Sequence, residues 1–131
     1  VQIVTPIDIE SALAAELDAR LESINAHATP APDDIGAGAV VVQAIGGGEQ
    51  TAVSDLYDVV IYAFASTYDA ALATGRAVCG AVRVLWMDGA VAAPVTFTTS
   101  TASPPYIDPD PDRPTLCRVT VRATVGARGQ A

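Results

Sequence analysis

The apolar positions of this chain are densest between Asp55 and Leu85, and two different periods share that stretch. Its first half, DLYDVVIYAFAS, is rich in β-branched and aromatic residues, the composition of a strand inside a sheet. Its second half, TYDAALATGRAVCGAVRVL, places Ala71, Gly75, Val78, Val82 and Leu85 on one side of a helix. Ser66 and Thr67 stand at the join and Asp69 follows three after Ser66, so an S-x-x-D cap predicts the helix start there. A strand that runs straight into a helix folds that helix back over the sheet, because both elements have apolar faces to hide.

Upstream, Ile9, Leu13, Leu17, Leu21 and Ile24 recur every three or four residues and predict one helix. Thr5 can cap it, Pro6 suits the first helical position, Asp8 completes the cap, and the pattern fades near Asn25-Ala26-His27. Asp18, Arg20 and Glu22 read as its solvated side. Ala28 to Gly38 has prolines, acids and glycines without periodicity and reads as a loop. Ala39 to Ile45 reads as a strand, Gly46-Gly47-Gly48 as a turn, and Val53 to Ala65 as the returning strand of a hairpin.

Past the central helix, Trp86-Met87-Asp88-Gly89 turns the chain. Ala90 to Thr101 reads as a strand with Val91, Val95 and Phe97 on one face and Thr96, Thr98 and Ser100 on the other. Pro94 makes it an edge or a strand start. Ser103 to Pro114, with five prolines, reads as a stiff extended loop without regular structure. Thr115 to Val125 alternates: Cys117, Val119, Val121, Ala123 and Val125 face one way, Arg118, Thr120, Arg122 and Thr124 the other. Residues 127–131 read as a flexible tail. The expected fold is one α+β domain spanning 1–131 in the order α-β-β-α-β-β, with two helices on one face of a mainly antiparallel four-stranded sheet.

The second face of that sheet carries the functional expectation. Arg118 and Arg122 make its last strand polar, whereas Val41, Ile45, Val60, Tyr62 and Phe64 would form an apolar patch. Such a patch on a lone subunit calls for a neighbouring copy to cover it. The 103–114 loop, with Tyr106, Asp108, Asp110, Asp112 and Arg113, is the segment placed to reach a partner.

Composition narrows the chemistry. The formal net charge is −8, with 15 acidic residues against seven cations, all of them arginine. That balance repels phosphate and argues against sequence-specific nucleic-acid binding. No apolar run reaches the ~18 residues of a membrane span, and the N-terminus lacks signal-peptide features. Cys79 in a helix and Cys117 in a strand read as two buried free thiols in a reducing compartment. Gly36-Ala37-Gly38 precedes a strand where a dinucleotide fingerprint would follow one, and Gly46-Gly47-Gly48 lacks the Lys and Ser/Thr of a phosphate loop. His27, the single histidine, has no partner for a zinc site or a triad. Asp108, Asp110 and Asp112 have the spacing of a calcium loop, but prolines intervene and the glycine and distal Glu are missing. Asp55 and Asp58 do not share a face. No enzyme signature, cofactor site or metal site is expected.

Taken together, the N-terminal helix, the glycine hairpin running into DLYDVVIYAFAS, the Ala-rich helix, and PPYIDPDPDRP leading into TLCRVTVRATV form a pattern over nearly the whole chain. This order resembles the tail terminator proteins of long, flexible-tailed bacteriophages. The arginine often expected near the first strand is replaced here by Val40-Val41-Val42-Gln43. The resemblance implies a non-enzymatic virion protein, assembled in the host cytoplasm as a ring, a hexamer, at the head-proximal end of the tail. It also implies the tail tube protein and the head–tail connector as partners, and DNA passing through the lumen without sequence-specific binding. Another head–tail joining protein, a connector stopper or head-completion protein, is the nearest alternative. A small ligand-binding α+β domain is the alternative of a different class.

Overall fold

In a computed structural model, which describes residues 5–129, the chain forms two helices and a six-stranded mixed sheet. Helix α1 spans Ile9–Arg20, one turn shorter at its C-terminal end than the apolar spacing suggests. Its cap is Asp8 and not Thr5: the Asp8 carboxylate accepts the Ser11 N–H at 3.2 Å and the Ser11 hydroxyl at 2.8 Å. Ile9, Leu13 and Leu17 are buried as expected. Leu21 is already extended and closes the helix, its N–H reaching the Leu17 carbonyl at 2.9 Å.

Strand β1, Asn25–Ala28, then pairs parallel with β2, Ala39–Thr51. The sequence shows a fading helix here, because four residues including His27 carry no readable alternation. The 29–38 segment is the connection that allows the parallel pairing. Strand β2 in turn does not stop at its glycines. It continues through Gly46, Gly47 and Gly48 and pairs antiparallel with β3, Ser54–Ala65, with the turn at Thr51–Ser54. At Gly47 the backbone φ is +142°, and a Cβ there would lie 2.1 Å from the Leu56 carbonyl oxygen. The glycine therefore permits a close cross-strand approach and does not mark a turn.

Helix α2, Tyr68–Asp88, is capped by Thr67, whose hydroxyl accepts the Ala70 N–H at 3.2 Å. Ser66 is not the cap; Asp69 lies in the first turn, where it suits the helix dipole. Gly89, at φ +77°, ends it. By length and composition alone α2 would pass for a membrane-crossing helix, contrary to the reading of the sequence. Its stripe of Ala71, Gly75, Val78, Val82 and Leu85 is buried against the sheet, the position of a core helix. Each fully buried Val or Leu on that stripe contributes about 1.5–3 kcal/mol.

Strand β4 spans Val95–Ala102, not Ala90–Thr101, and Val91 is exposed in the loop before it. A register shift between Phe97 and Thr99 changes the strand's parity, so Ser100 turns inward behind Phe97. The 103–114 segment includes β5, Tyr106–Ile107, which pairs with β6, Cys117–Gly129. Strands β4 and β5 thus lie along the same side of β6, separated by Ser103-Pro104-Pro105. Residues 127–129 are not a tail: Ala127 is buried and pairs with Phe97. Residues 130 and 131 lie outside the described residues.

The sheet order is β1-β2-β3-β6-β4, with β5 beside β6. The α+β class and the two helices match expectation; the antiparallel four-stranded sheet does not, because β1 is parallel and β1 and β5 are additional. One core joins both helices to Val40, Val42, Val59, Ile61, Val119 and Val121. Two acids, the buried Glu16 and the half-buried Glu10, tie α1 to distant parts of the chain. Glu16 accepts the N–H groups of Val91, Ala92 and Ala93 at 2.7–2.9 Å and pairs with Arg20 at 3.1 Å. Glu10 accepts the Ala44 N–H at 2.8 Å, the Thr29 N–H at 3.0 Å and the Thr29 hydroxyl. Burial raises both carboxyl pKa values, but these hydrogen bonds outweigh it and hold both below the ordinary range.

Candidate functional site

The face of the sheet away from the helices is where the expected site residues converge, and it has two ends. At one end the chain covers itself. Phe64, Val41 and Ala39 form a second, smaller apolar cluster, against which Ala31, Ile35, Tyr62 and Leu116 pack. Phe64 is 2% exposed, Val41 6% and Val60 7%. Val41, Tyr62 and Phe64 of the expected patch are therefore packed against the chain's own 29–38 and 108–116 segments, and Val60 is buried as well. Of the five residues, Ile45 alone is well exposed, at 53%.

The proline and aspartate segment does this covering because its charges meet the arginines beneath it. Strand pairing sets Arg118 opposite Phe64 and Thr120 opposite Tyr62. The Arg118 guanidinium lies 4.6 Å above the Tyr62 ring, and its Nε donates to the Asp108 carbonyl at 2.7 Å. Its terminal nitrogens pair with the Asp108 carboxylate at 3.3 Å and the Asp110 carboxylate at 3.7 Å. Asp108 also accepts the Thr120 hydroxyl at 2.7 Å. Asp110 is buried, accepting the Asp112 N–H at 2.9 Å and Arg113 at 3.1 Å. Arg113 in turn sits 5.7 Å from the Phe64 ring centroid. Burial works to raise the Asp110 pKa, but the Asp112 N–H and the two guanidinium groups prevail and hold it below the usual carboxylate range.

Of the five loop residues expected to reach outward, Asp108, Asp110 and Arg113 are thus turned inward. Asp112 is exposed and Tyr106 half-exposed. The calcium-like spacing of the aspartates is spent on arginines, and among the described residues no cluster of three or more His, Cys, Asp or Glu is placed to hold a metal. The two free thiols differ, Cys79 being buried and Cys117 half-buried.

The other end of the same face is open. A groove of about 380 Å³ runs between Ile45 at the β2 side and Thr101 and Ser103 at the β4 side, with Asp58, Arg122 and Thr124 on its floor. Arg122 is exposed, its Nε donating to the Tyr106 hydroxyl at 3.3 Å. Asp58 accepts the Thr124 hydroxyl at 3.1 Å. Beyond the groove, β2 and the hairpin turn are exposed from Ile45 to Val53, and Gln50 reaches Thr98 across Gly126 at 2.7 Å. The two arginines expected to make one polar strand face are therefore unlike. Arg118 is committed to the fold, and Arg122 is presented to solvent. Alternation along β6 put both on this face, but only the position of the 108–116 segment separates them. No sequence pattern joins the groove's Asp58, Thr101 and Ser103, because they come from β3, β4 and the connection after β4.

No protein-family model matches this chain, and no curated protein matches it at a significant level.

Proposed function

We propose that this chain is a structural assembly protein that caps the head-proximal end of a flexible bacteriophage tail tube and joins it to the head connector, as the terminator resemblance implies. The observation that carries the reading is the half-covered outer face. One end is sealed by the chain's own acidic loop, and the other presents an arm, the second half of β2 and its turn, exposed from Ile45 to Val53 with glycines between. A domain that finishes its own core and still extends a bare arm has surface to offer to copies of itself or to partners. A closed ring uses such an arm without growing into a fibre, and the hexamer is the number the resemblance implies. The net charge of −8 lets DNA pass the ring without adhering.

The test is assembly with purified tube protein. The reading expects a ring of six by light scattering and electron microscopy, seated at one end of the tube and halting its growth. Tubes that continue to lengthen in its presence refute the reading, and binding to the connector but not to the tube would make the chain a stopper. Deletion of Pro109–Asp112 does not test partner contact cleanly, because it removes the Asp110 carboxylate that holds Arg113 and Arg118.

A further inference from the structure

Two exposed surfaces lie at opposite margins of the sheet and match each other in charge. At one margin, Trp86, Met87 and Val91, at and just past the end of α2, are each more than half exposed. They stand over the side that carries β4, the last strand of the sheet. The Trp86 N–H donates to the Ser100 hydroxyl at 3.3 Å, and the Arg83 Nε donates to the Ala102 carbonyl at 3.0 Å. Arg83 is one turn before Met87 on the same helix face. Its Nε contact steadies the side chain and leaves the terminal nitrogens to donate. Asp88, the acid nearest in sequence, is taken by Arg20 at 3.1 Å. The end of α2 is therefore apolar and cationic, in a chain whose net charge is −8.

At the other margin is the tip of the β2–β3 hairpin. Strand β1 covers β2 only from Ala39 to Val42, so the rest of β2 lies at the sheet's edge. Ala52 and Val53 are exposed at the turn and line a small hollow together with Glu49 and Asp55. Arg128 lines it too, without an ion pair to either acid among the described residues, so acids remain in excess there. Glu49 pairs with Asp55, Asp55 with Ala127, and Ala127 with Phe97. Residues paired across a sheet share a face, and Ala127 and Phe97 belong to the core beneath the helices. Both acids thus stand on the helix side of the sheet, on a row that ends at β4. A second copy displaced along that row brings its apolar, acidic tip against the apolar, cationic end of α2. We propose that the hairpin tip of one copy, Val53 with Glu49 and Asp55, docks on Trp86, Met87 and Arg83 of a second copy. Tryptophan is among the commonest anchors of protein interfaces, and a neighbouring charge pair fixes the register. Because the two surfaces differ, the contact is head-to-tail and can close into a ring. The proposal rests on the premise of the ring reading, that copies associate, and names the surfaces that meet.

The test uses the full chain in two forms. Trp86 is the single tryptophan, so its emission in the unaltered chain reads the contact directly. Emission should move to shorter wavelength as the chain is concentrated from micromolar to millimolar. For the pairing of surfaces, Val53→Cys and Met87→Cys are made separately in a Cys117→Ser background, where the remaining native thiol, Cys79, is buried. Under mild oxidation at millimolar concentration the mixture of the two variants should cross-link, and either variant alone should not. Arg83→Glu should lower the yield in the mixture about tenfold. Glu49→Arg added to the same chains should recover part of it, since Asp55 still faces the new glutamate. Fixed Trp86 emission on concentration, no link in the mixture, or equal linking by either variant alone overturns the proposal. So does an Arg83→Glu mixture that links as well as its parent. Emission that shifts on phosphatidylcholine vesicles but not on concentration would give the patch to a membrane, and overturns it too. A ring that forms without the link would overturn this contact and leave the ring reading standing, whereas linked copies that do not halt the tube would do the reverse. Because emission is read on the unaltered chain, misfolding of a variant cannot shield the proposal.

Discussion

Arg118 and Arg122 occupy the same strand and the same face, yet Arg118 is ion-paired beneath the chain's own loop and Arg122 is exposed. The difference comes from what the chain lays over each. Above Arg118 lie Asp108 and Asp110 from the proline-rich segment, and Tyr62 lies beneath. Arg122 lines a groove, and its Nε donates to the Tyr106 hydroxyl. The same contrast divides Phe64 from Ile45, both apolar and both on the outer face, one 2% and the other 53% exposed. The 108–116 segment, which follows β5, decides which half of the sheet face is covered and which half is left open.

That contrast can be broken by substitution, and the largest effect should come from its most buried member. Phe64→Ala should cost about 3–4 kcal/mol in urea unfolding, the loss expected of a buried aromatic. A cost below about 1 kcal/mol would mean that the 29–38 and 108–116 segments do not seal that end in solution. Asp110→Asn should cost about 2 kcal/mol at pH 7, because two arginines lose their shared charged acceptor.

The same substitution should change the acid response. The Asp110 pKa is lower in the folded chain than in the unfolded one, so its stabilisation is complete above the unfolded value of about 4. It is lost as the pH falls through the depressed folded value. Urea midpoints measured from pH 6 down to pH 2 should therefore fall less steeply in Asp110→Asn, with Glu10 and Glu16 retaining the remainder of the slope. Unchanged steepness would show that Asp110 is not held by the arginines.

Arg118→Lys should cost about 1–2 kcal/mol, since lysine keeps the charge but cannot stack on Tyr62 and fork to two acids at once. Ile45→Ala and Arg122→Gln mark the opposite extreme. Each should stay within about 0.5 kcal/mol of the parent. A stability loss as large as that of Phe64→Ala at either position would erase the distinction between the two ends.

The sequence made the middle of the molecule legible and its margins much less so. The β3–α2 unit and the alternation of β6 are readable along the chain; β3 and α2 are where the pattern placed them, and β6 keeps its alternation but runs from Cys117 on to Gly129, past the expected end at Val125. Strand β1 was illegible because Asn25–Ala28 is too short to show a period and gains its hydrogen bonds only from a distant parallel neighbour. The glycines of β2 imitate a turn because the reason for them, the closeness of Leu56, is on another strand. Nothing in the helical spacing singles out Glu10 and Glu16, yet their carboxylates hold backbone N–H groups from residues far along the chain. Arg20, expected in solvent, is mostly covered and reaches Glu16, Asp88 and the Gly89 carbonyl. At the candidate site the alternation correctly assigned a face, but it could not say which of the facing residues the chain itself would cover.

Glu10 and Glu16 also give the domain a mechanical character. Glu10 fastens the helix to Ala44 on β2, and Glu16 fastens it to residues 91–93, the segment that leads into β4 at the far edge of the sheet. The helix is thus a brace between the base of the exposed arm and the opposite margin. A pull on the arm would be shared through that brace as shear across many hydrogen bonds and would not peel one strand at a time.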